Sequence, residues 1–191
     1  MRVKTWSIWH GKLRLDFNEG IGMTTQGAKQ GRPAHSALIW LWLSAVVIVL
    51  DQLSKYIVVT RMKLAETIAV LPWLNWHLAY NTGAAFSFLG RAGGSQVIFL
   101  AVVSLVVVVV MVGWMRLTPR HHYVLSIGLA LVVGGAIGNV IDRVRLSYVI
   151  DFVDFHVGSW HFATFNVADS AITLGAICLV VHFIFEQRTS S

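Results

Sequence analysis

The chain is short of charge, of cysteine and of the common hydrolase motifs. Asp, Glu, Lys and Arg make up 13% of its 191 residues, about half the share of an ordinary soluble domain. Hydrophobic residues make up 56%, and the mean hydropathy is +0.68. This excludes a soluble protein and points to an integral membrane protein, because the apolar runs reach spanning length. A single cysteine, Cys178, rules out an intrachain disulfide and a Cys-rich zinc site; inside an apolar run it reads as a small hydrophobe. There is no Gly-x-Ser-x-Gly and no His-Glu-x-x-His, so serine and zinc hydrolysis lack their motifs.

Acids are scarcer than bases, nine against fifteen. The imbalance gathers in residues 1–36, where Arg2, Lys4, Lys12, Arg14, Lys29 and Arg32 face only Asp16 and Glu19. No nucleic-acid motif accompanies these charges, so they read as a basic, poorly ordered cytoplasmic tail under the positive-inside rule. The tail has no compact apolar core before a small-residue cleavage site, so it is not a signal peptide and the first apolar segment is retained as an anchor.

Four spans follow, at about 37–59, 97–114, 123–141 and 167–185, within one membrane-embedded domain over 37–186; residues 187–191 form a polar cytoplasmic tail. The second span carries no chemistry. The third holds Gly128, Gly134, Gly135 and Gly138, small residues that admit close helix approach and predict a central helix. Asp142 and Arg143 close it. Between the spans lie two inserts, 60–94 and 144–165, too polar to cross. The first reads as one or two short strands around Pro72, followed by a small-residue turn, Asn81–Phe86, in which Gly83 permits close backbone approach. The second alternates over Tyr148–Val157, turns at Gly158-Ser159 and pairs back through Trp160–Phe165. Asp151, Asp154, His156 and His161 invite a metal reading there, but alternation puts the two aspartates on opposite faces, and no metal or other cofactor is expected.

The most unusual stretches are two look-alikes, Asn139-Val140-Ile141-Asp142 and Asn166-Val167-Ala168-Asp169. Helical spacing i, i+3 would set amide beside carboxyl in each. Span three runs out of the membrane and ends at Asp142, and span four runs back in and begins at Asp169. Both carboxyls therefore lie on one side, the outer one if both termini are cytoplasmic. Asp51 and Lys55, an i, i+4 pair in acid-before-base order, lie toward the same side. Two close carboxyls share one proton, and such a dyad activates water with one member and protonates a carbonyl or leaving amine with the other. Asn139, Asn166 and Arg143 would form its polar shell. Two other readings remain: a polar cluster locking helices together, and a proton relay of a carrier. No inverted repeat of broken spans supports the carrier.

The motifs Asp51-Gln52-Leu53-Ser54-Lys55, Asn81-Thr82-Gly83-Ala84-Ala85-Phe86, Gly134–Arg143, Tyr148-Val149-Ile150-Asp151-Phe152 and Phe165–Ser170 resemble, in order and spacing, those of the bacterial lipoprotein signal peptidases (signal peptidase II), over about residues 38–186. The resemblance implies an all-α polytopic protein of the bacterial inner membrane, with four transmembrane helices and a small extracytoplasmic β-cradle built from the two inserts. It implies an aspartic endopeptidase that cuts diacylglyceryl-modified prolipoproteins just before the lipidated cysteine. By that resemblance Asp142 and Asp169 are the catalytic dyad, and Asn139, Arg143 and Asn166 are its shell. Asp51, Lys55, Asn81 and Gly83 shape the site. The expected partners are the lipidated substrates and membrane lipids, with no nucleic acid, and the protein acts as a monomer. Residues 1–22 are an extension relative to that family, or a misplaced start, and carry no assigned role.

Overall fold

The computed structural model describes residues 35–83 and 95–189. The basic tail, apart from His35 and Ser36, lies outside the described residues, as do residues 84–86 of the turn expected after Asn81 and the final two residues of the polar tail.

Among the described residues, four helices are long and apolar enough to cross a membrane. A 3-10 turn, Ala37–Trp40, opens into α1, Leu41–Arg61. The others are α2, Ser95–Leu117, α3, Tyr123–Leu146, and α4, Val167–Thr189. The expected spans all exist, and each helix overruns them by a few residues. The largest correction is at α3. It does not stop at Ile141 but continues for more than another turn, and Ser147 ends it in the left-handed region at φ 65°, a common way for a helix to stop. Asp142 and Arg143 therefore lie inside a helix, where every side chain position is fixed by the helical repeat.

The third helix is the centre of the bundle, as its glycines predict. In its most apolar window 72% of residues are buried, against 22% for α1, 17% for α4 and 6% for α2. Side chains such as Val109 on α2, 71% exposed, have hydrocarbon as their only available apolar surroundings. The glycines let neighbours touch the α3 backbone. A methyl group on Gly134 would stand 2.8 Å from Val47 Cβ on α1, and one on Gly135 would stand 2.3 Å from the Ala168 carbonyl oxygen on α4. Ser44 Oγ donates to the Ala130 carbonyl at 2.7 Å, sealing the same α1–α3 seam. Gly135→Ala is therefore expected to cost about 1–3 kcal/mol through overpacking, whereas Gly113→Ala, with nothing within 4 Å, is neutral. Thermal unfolding of both variants in one detergent checks this; equal melting temperatures would refute the close-packing argument.

The two inserts build one antiparallel sheet in the order β1-β2-β3-β4: β1 Thr67–Leu71, β2 Leu74–Asn81, β3 Val149–Val157 and β4 Trp160–His161. Pro72 and Trp73 turn β1 into β2, and Gly158 at φ +60° turns β3 into β4. Phe165 pairs with Val153 through two backbone bonds, 2.8 and 3.0 Å. The sheet is seated on the end of α1 by an apolar cluster of Val58, Met62, Leu78, Ile150 and Phe152. Ile150 and Phe152 share the face that meets this cluster, so Asp151 between them projects from the other face. At the opposite end of the bundle, Ser36 bridges Pro119, and Trp40 Nε1 donates to the Arg120 carbonyl at 3.3 Å. The start of α1 and the α2–α3 turn thus share one end, and the sheet occupies the other.

Candidate active site

Polar side chains inside the apolar bundle fall into two connected groups. The first is an ion cluster around Lys55, which is 2% exposed. Its ammonium meets Asp51 Oδ2 at 2.8 Å, Asp142 Oδ2 at 2.8 Å and Asn139 Oδ1 at 3.1 Å. Those are three acceptors for three protons, which satisfies the group fully. Asp51 reaches α4 as well, taking the Ala168 N–H on Oδ1 at 2.9 Å; Gly138 leaves room for it, since a Cβ there would stand 2.7 Å from Asp51 Oδ2. Gln52, which sequence reasoning passed over, donates to Asp142 Oδ1 at 2.9 Å. The Ile150 N–H binds Asp142 Oδ2 at 3.2 Å. Asp142 therefore has both oxygens engaged, one of them by a cation, and it holds the start of β3.

The second group lies between α3, β3 and the start of α4. Asn166 precedes α4 and caps it: its Oδ1 accepts the Asp169 N–H at 2.9 Å, while Asp169 Oδ2 accepts the Asn166 N–H at 3.2 Å. This is a reciprocal capping box. The Asn166 amide also donates to Asp151 Oδ1 at 2.7 Å and to Asn139 Oδ1 at 3.2 Å. Asn139 Nδ2 in turn donates to Asp169 Oδ1 at 2.8 Å. The other Asp151 oxygen accepts Asn81 Nδ2 at 2.9 Å. Gly83 sets that amide's orientation: at φ +83° it donates its N–H to Asn81 Oδ1 at 2.8 Å, so the NH₂ end faces Asp151. Arg143 lies within electrostatic reach of Asp169, Asp151 and Asp142 and touches the Asn139 carbonyl at 3.5 Å.

The expected residues are thus all present at one end of the bundle; Asp51 pairs with Lys55, and Asn139 and Asn166 bond Asp169, as expected, but the carboxyls group differently. Asp142 is bound to Lys55 and, among the described residues, shares no hydrogen-bonding side chain with Asp169 other than Asn139 through Lys55. The carboxyl that shares Asn166 with Asp169 is Asp151. Asp151 is 2% exposed, and its donors are neutral amides. Burial, to which the negative charge of Asp169 adds, pushes its carboxyl up to about 6 against the lowering effect of the Asn81 and Asn166 bonds. A signal for Asp151 existed in the sequence, an acid between Ile150 and Phe152 in a strand pattern, but strand position alone does not say what lies opposite. The remaining members of the metal reading point elsewhere. Asp154 is held by Asn75 at 2.9 Å and His161 at 2.8 Å, and His156 stacks on His161.

Similarity to known proteins agrees with this arrangement of motifs. Residues 43–185 match the family model described as signal peptidase (SPase) II. The lipoprotein signal peptidase of Coxiella burnetii (strain RSA 331 / Henzerling II) is 51% identical over 167 residues, covering 87% of this chain and 99% of that protein. The lipoprotein signal peptidase of Acinetobacter baumannii (strain SDF) is 48% identical over 151 residues, covering 79% of this chain and 86% of that one. A solved bacterial membrane enzyme, determined by the in meso method at 1.9 Å resolution, superimposes with a TM-score of 0.69 at 29% identity, over 76% of this chain and 92% of its own. A second, at 2.3 Å resolution, gives 0.71 at 27% identity, over 84% and 96%. With four membrane-crossing helices and a family match over most of its length, this chain is a multi-pass membrane peptidase and belongs to the signal peptidase II family.

Proposed function

We propose that the chain is an aspartic endopeptidase whose dyad is Asp151 and Asp169, and that it removes signal peptides from diacylglyceryl-modified prolipoproteins by cutting just before the lipidated cysteine. The observation that carries this reading is the shared Asn166. It ties together two carboxyls that make no ion pair among the described residues, at the membrane edge of a peptidase. Asp142 is reassigned from catalysis to the scaffold, because its oxygens are taken by Lys55, Gln52 and the Ile150 N–H.

The chemistry follows from the raised proton affinity of Asp151. Asp151, raised to about 6, holds the proton, and Asp169 is the base. Asp169 takes a proton from water as the water oxygen bonds to the scissile carbonyl carbon. Asp151 gives its proton to the carbonyl oxygen, forming a gem-diol with no covalent link to the enzyme. Asp169 then hands its proton to the departing nitrogen while Asp151 recovers one from a hydroxyl. The C–N bond breaks, leaving a carboxyl terminus on the signal peptide and a free amine on the lipidated cysteine. The Asn139 and Asn166 amides hold the carboxyls in register, and Arg143 offsets developing negative charge.

The proposed setting is the outer face of the bacterial inner membrane, with both termini cytoplasmic and the chain acting as a monomer. The Arg116/Arg120 turn supports it, because it shares the end of the bundle opposite the sheet with the start of α1, and six Lys/Arg precede that start in the sequence. The substrate's lipid requires an enzyme at the interface, since lifting acyl chains from the bilayer costs about 0.8 kcal/mol per CH₂. Purified protein is expected to cleave a diacylglyceryl-modified precursor, read as a mobility shift on a gel. It should cleave the same precursor without the lipid at least about a hundredfold more slowly. Equal rates would remove the lipid from the reading.

A further inference from the structure

The Asp154–His161 pair takes no part in the proposed chemistry, yet it stands at the segment that delivers Asn166. The Phe162 N–H donates to the Phe155 carbonyl at 2.8 Å, and Phe165 exchanges bonds of 2.8 and 3.0 Å with Val153. Phe155 and Val153 are two residues apart on β3, whereas Phe162 and Phe165 are three apart. One extra residue is therefore accommodated opposite Asp154, around Ala163 and Thr164, and this makes a bulge. Asn166 follows Phe165 directly, and its side chain bonds Asp151 at 2.7 Å and the Asp169 N–H at 2.9 Å. The shape of the bulge thus sets where Asn166 stands.

Packing does not hold the bulge on its outer side. A hollow of about 360 Å³ opens over Ala163 and Thr164 and is shared with Thr67 and His77, and Ala163 is exposed. The tie is made by His161, two residues before Ala163. Its Nδ1 lies 2.8 and 3.0 Å from the two Asp154 oxygens. Asp154 is buried and also accepts Asn75 Nδ2 at 2.9 Å. Burial pushes its carboxyl up, but the bonds from Asn75 and His161, with attraction from His161 and His156, outweigh this and hold it below the ordinary carboxylate range. An ionised carboxylate only accepts, so Nδ1 carries the proton, and such a charge-assisted bond is about twice as strong as a neutral one. His156 stacks on His161 with ring centroids 5.0 Å apart and planes 19° apart, which keeps the imidazole aimed at Asp154.

We propose that His161 is a positioning residue of the peptidase: its bond to Asp154 fixes the bulge, and the bulge holds Asn166 where it joins Asp151 to Asp169. The effect on catalysis rests on the proposed dyad, but the coupling of His161 to Asn166 is measured without substrate.

The test compares variants of the full chain in detergent micelles by amide hydrogen exchange, read by NMR, and by steady-state cleavage of a lipidated precursor. In His161→Ala, exchange at the Asp169 N–H, which Asn166 caps, is expected to rise about tenfold. The same variant should lose about tenfold in kcat with KM within about twofold, because a small misplacement near the reacting groups costs rate. His161→Asn keeps a side-chain N–H for Asp154 and should restore both readouts. Thr67→Val, in the same hollow but on β1, should change neither. Unchanged exchange at Asp169, with faster exchange confined to residues 156–162, would mean that His161 only steadies the hairpin, and overturns the proposal. So does a loss that His161→Asn fails to repair. Faster exchange at Asp169 with unchanged kcat supports the coupling and counts against the dyad. A parent chain that cleaves no lipidated precursor fails the peptidase reading, and the exchange comparison still decides the coupling.

Discussion

Asp151→Asn is expected to fold as the parent does and to lose at least about a thousandfold in turnover, and Asp169→Asn to lose about as much. General acid–base groups are each worth about 10²–10⁴ in rate, and members of one catalytic unit fail together, so the double variant should be scarcely worse than either single one. The amides replace carboxyls whose present partners are mostly N–H donors, Asn81 and Asn166 for Asp151 and Asn139 for Asp169. An amide side chain still offers one acceptor oxygen to such donors, so the folds should hold. Asp142→Asn is the informative contrast: it should reduce stability while each folded molecule keeps activity within about tenfold. A folded but inactive Asp142→Asn beside an active Asp151→Asn would restore the pairing expected from the sequence. The same assay carries a pH signature. With Asp151 at about 6, kcat/KM should fall as pH rises past that point, because loss of its proton removes the acid. In stability the sign is the same: a raised carboxyl pKa favours the native state at low pH, and that contribution is lost between about pH 4 and 6. Asp151→Asn should flatten that slope.

Lys55→Met is expected to be the most destabilising single change among the residues discussed, by about 3–5 kcal/mol. It removes the cation that Asp51 and Asp142 share at 2.8 Å each and leaves two buried carboxylates facing each other without a counter-charge. Both aspartates also hold backbone, Ala168 at the start of α4 and Ile150 beside Asp151, so the damage should spread to the elements that carry the proposed dyad. Adding Asp142→Asn to Lys55→Met should recover stability, because it deletes one of the stranded charges; coupling of about 0.5–3 kcal/mol is usual for such neighbours. Thermal unfolding of the four members of this cycle measures it. Additive losses would show that the cluster is not a unit.

The bundle was legible in the sequence because its determinants are local. Length and apolar content mark each span, the glycines of α3 mark close approach, and alternation around Pro72 and Gly158 marks the hairpins. The proposed dyad was half legible. The two Asn-Val-x-Asp stretches have the same residues but different local structures. In Asn139–Asp142 both side chains lie inside α3, and Asn139 reaches across to Asp169 while Asp142 turns to Lys55. In Asn166–Asp169 the asparagine is outside α4 and caps it. An i, i+3 rule that assumes a helix holds for the first stretch as geometry, yet it does not say which neighbour each side chain meets. That choice is made by packing between α1, α3 and β3. The place of Asp151 beside Asn166 was not legible for the same reason: its neighbours Asn81 and Asn166 are 70 and 15 residues away along the chain.

The unequal burial of α2 and α3 has a consequence for how this protein tolerates inherited change. The most apolar stretch of α2 is 6% buried and that of α3 is 72%. Most α2 positions need only a side chain that lipid accepts, so exchanges among Val, Leu, Ile and Phe should pass unnoticed by selection. On α3, even the addition of a methyl group at Gly135 meets a backbone oxygen. Two helices of nearly the same length should therefore drift at very different rates, with α2 diverging freely and α3 almost standing still.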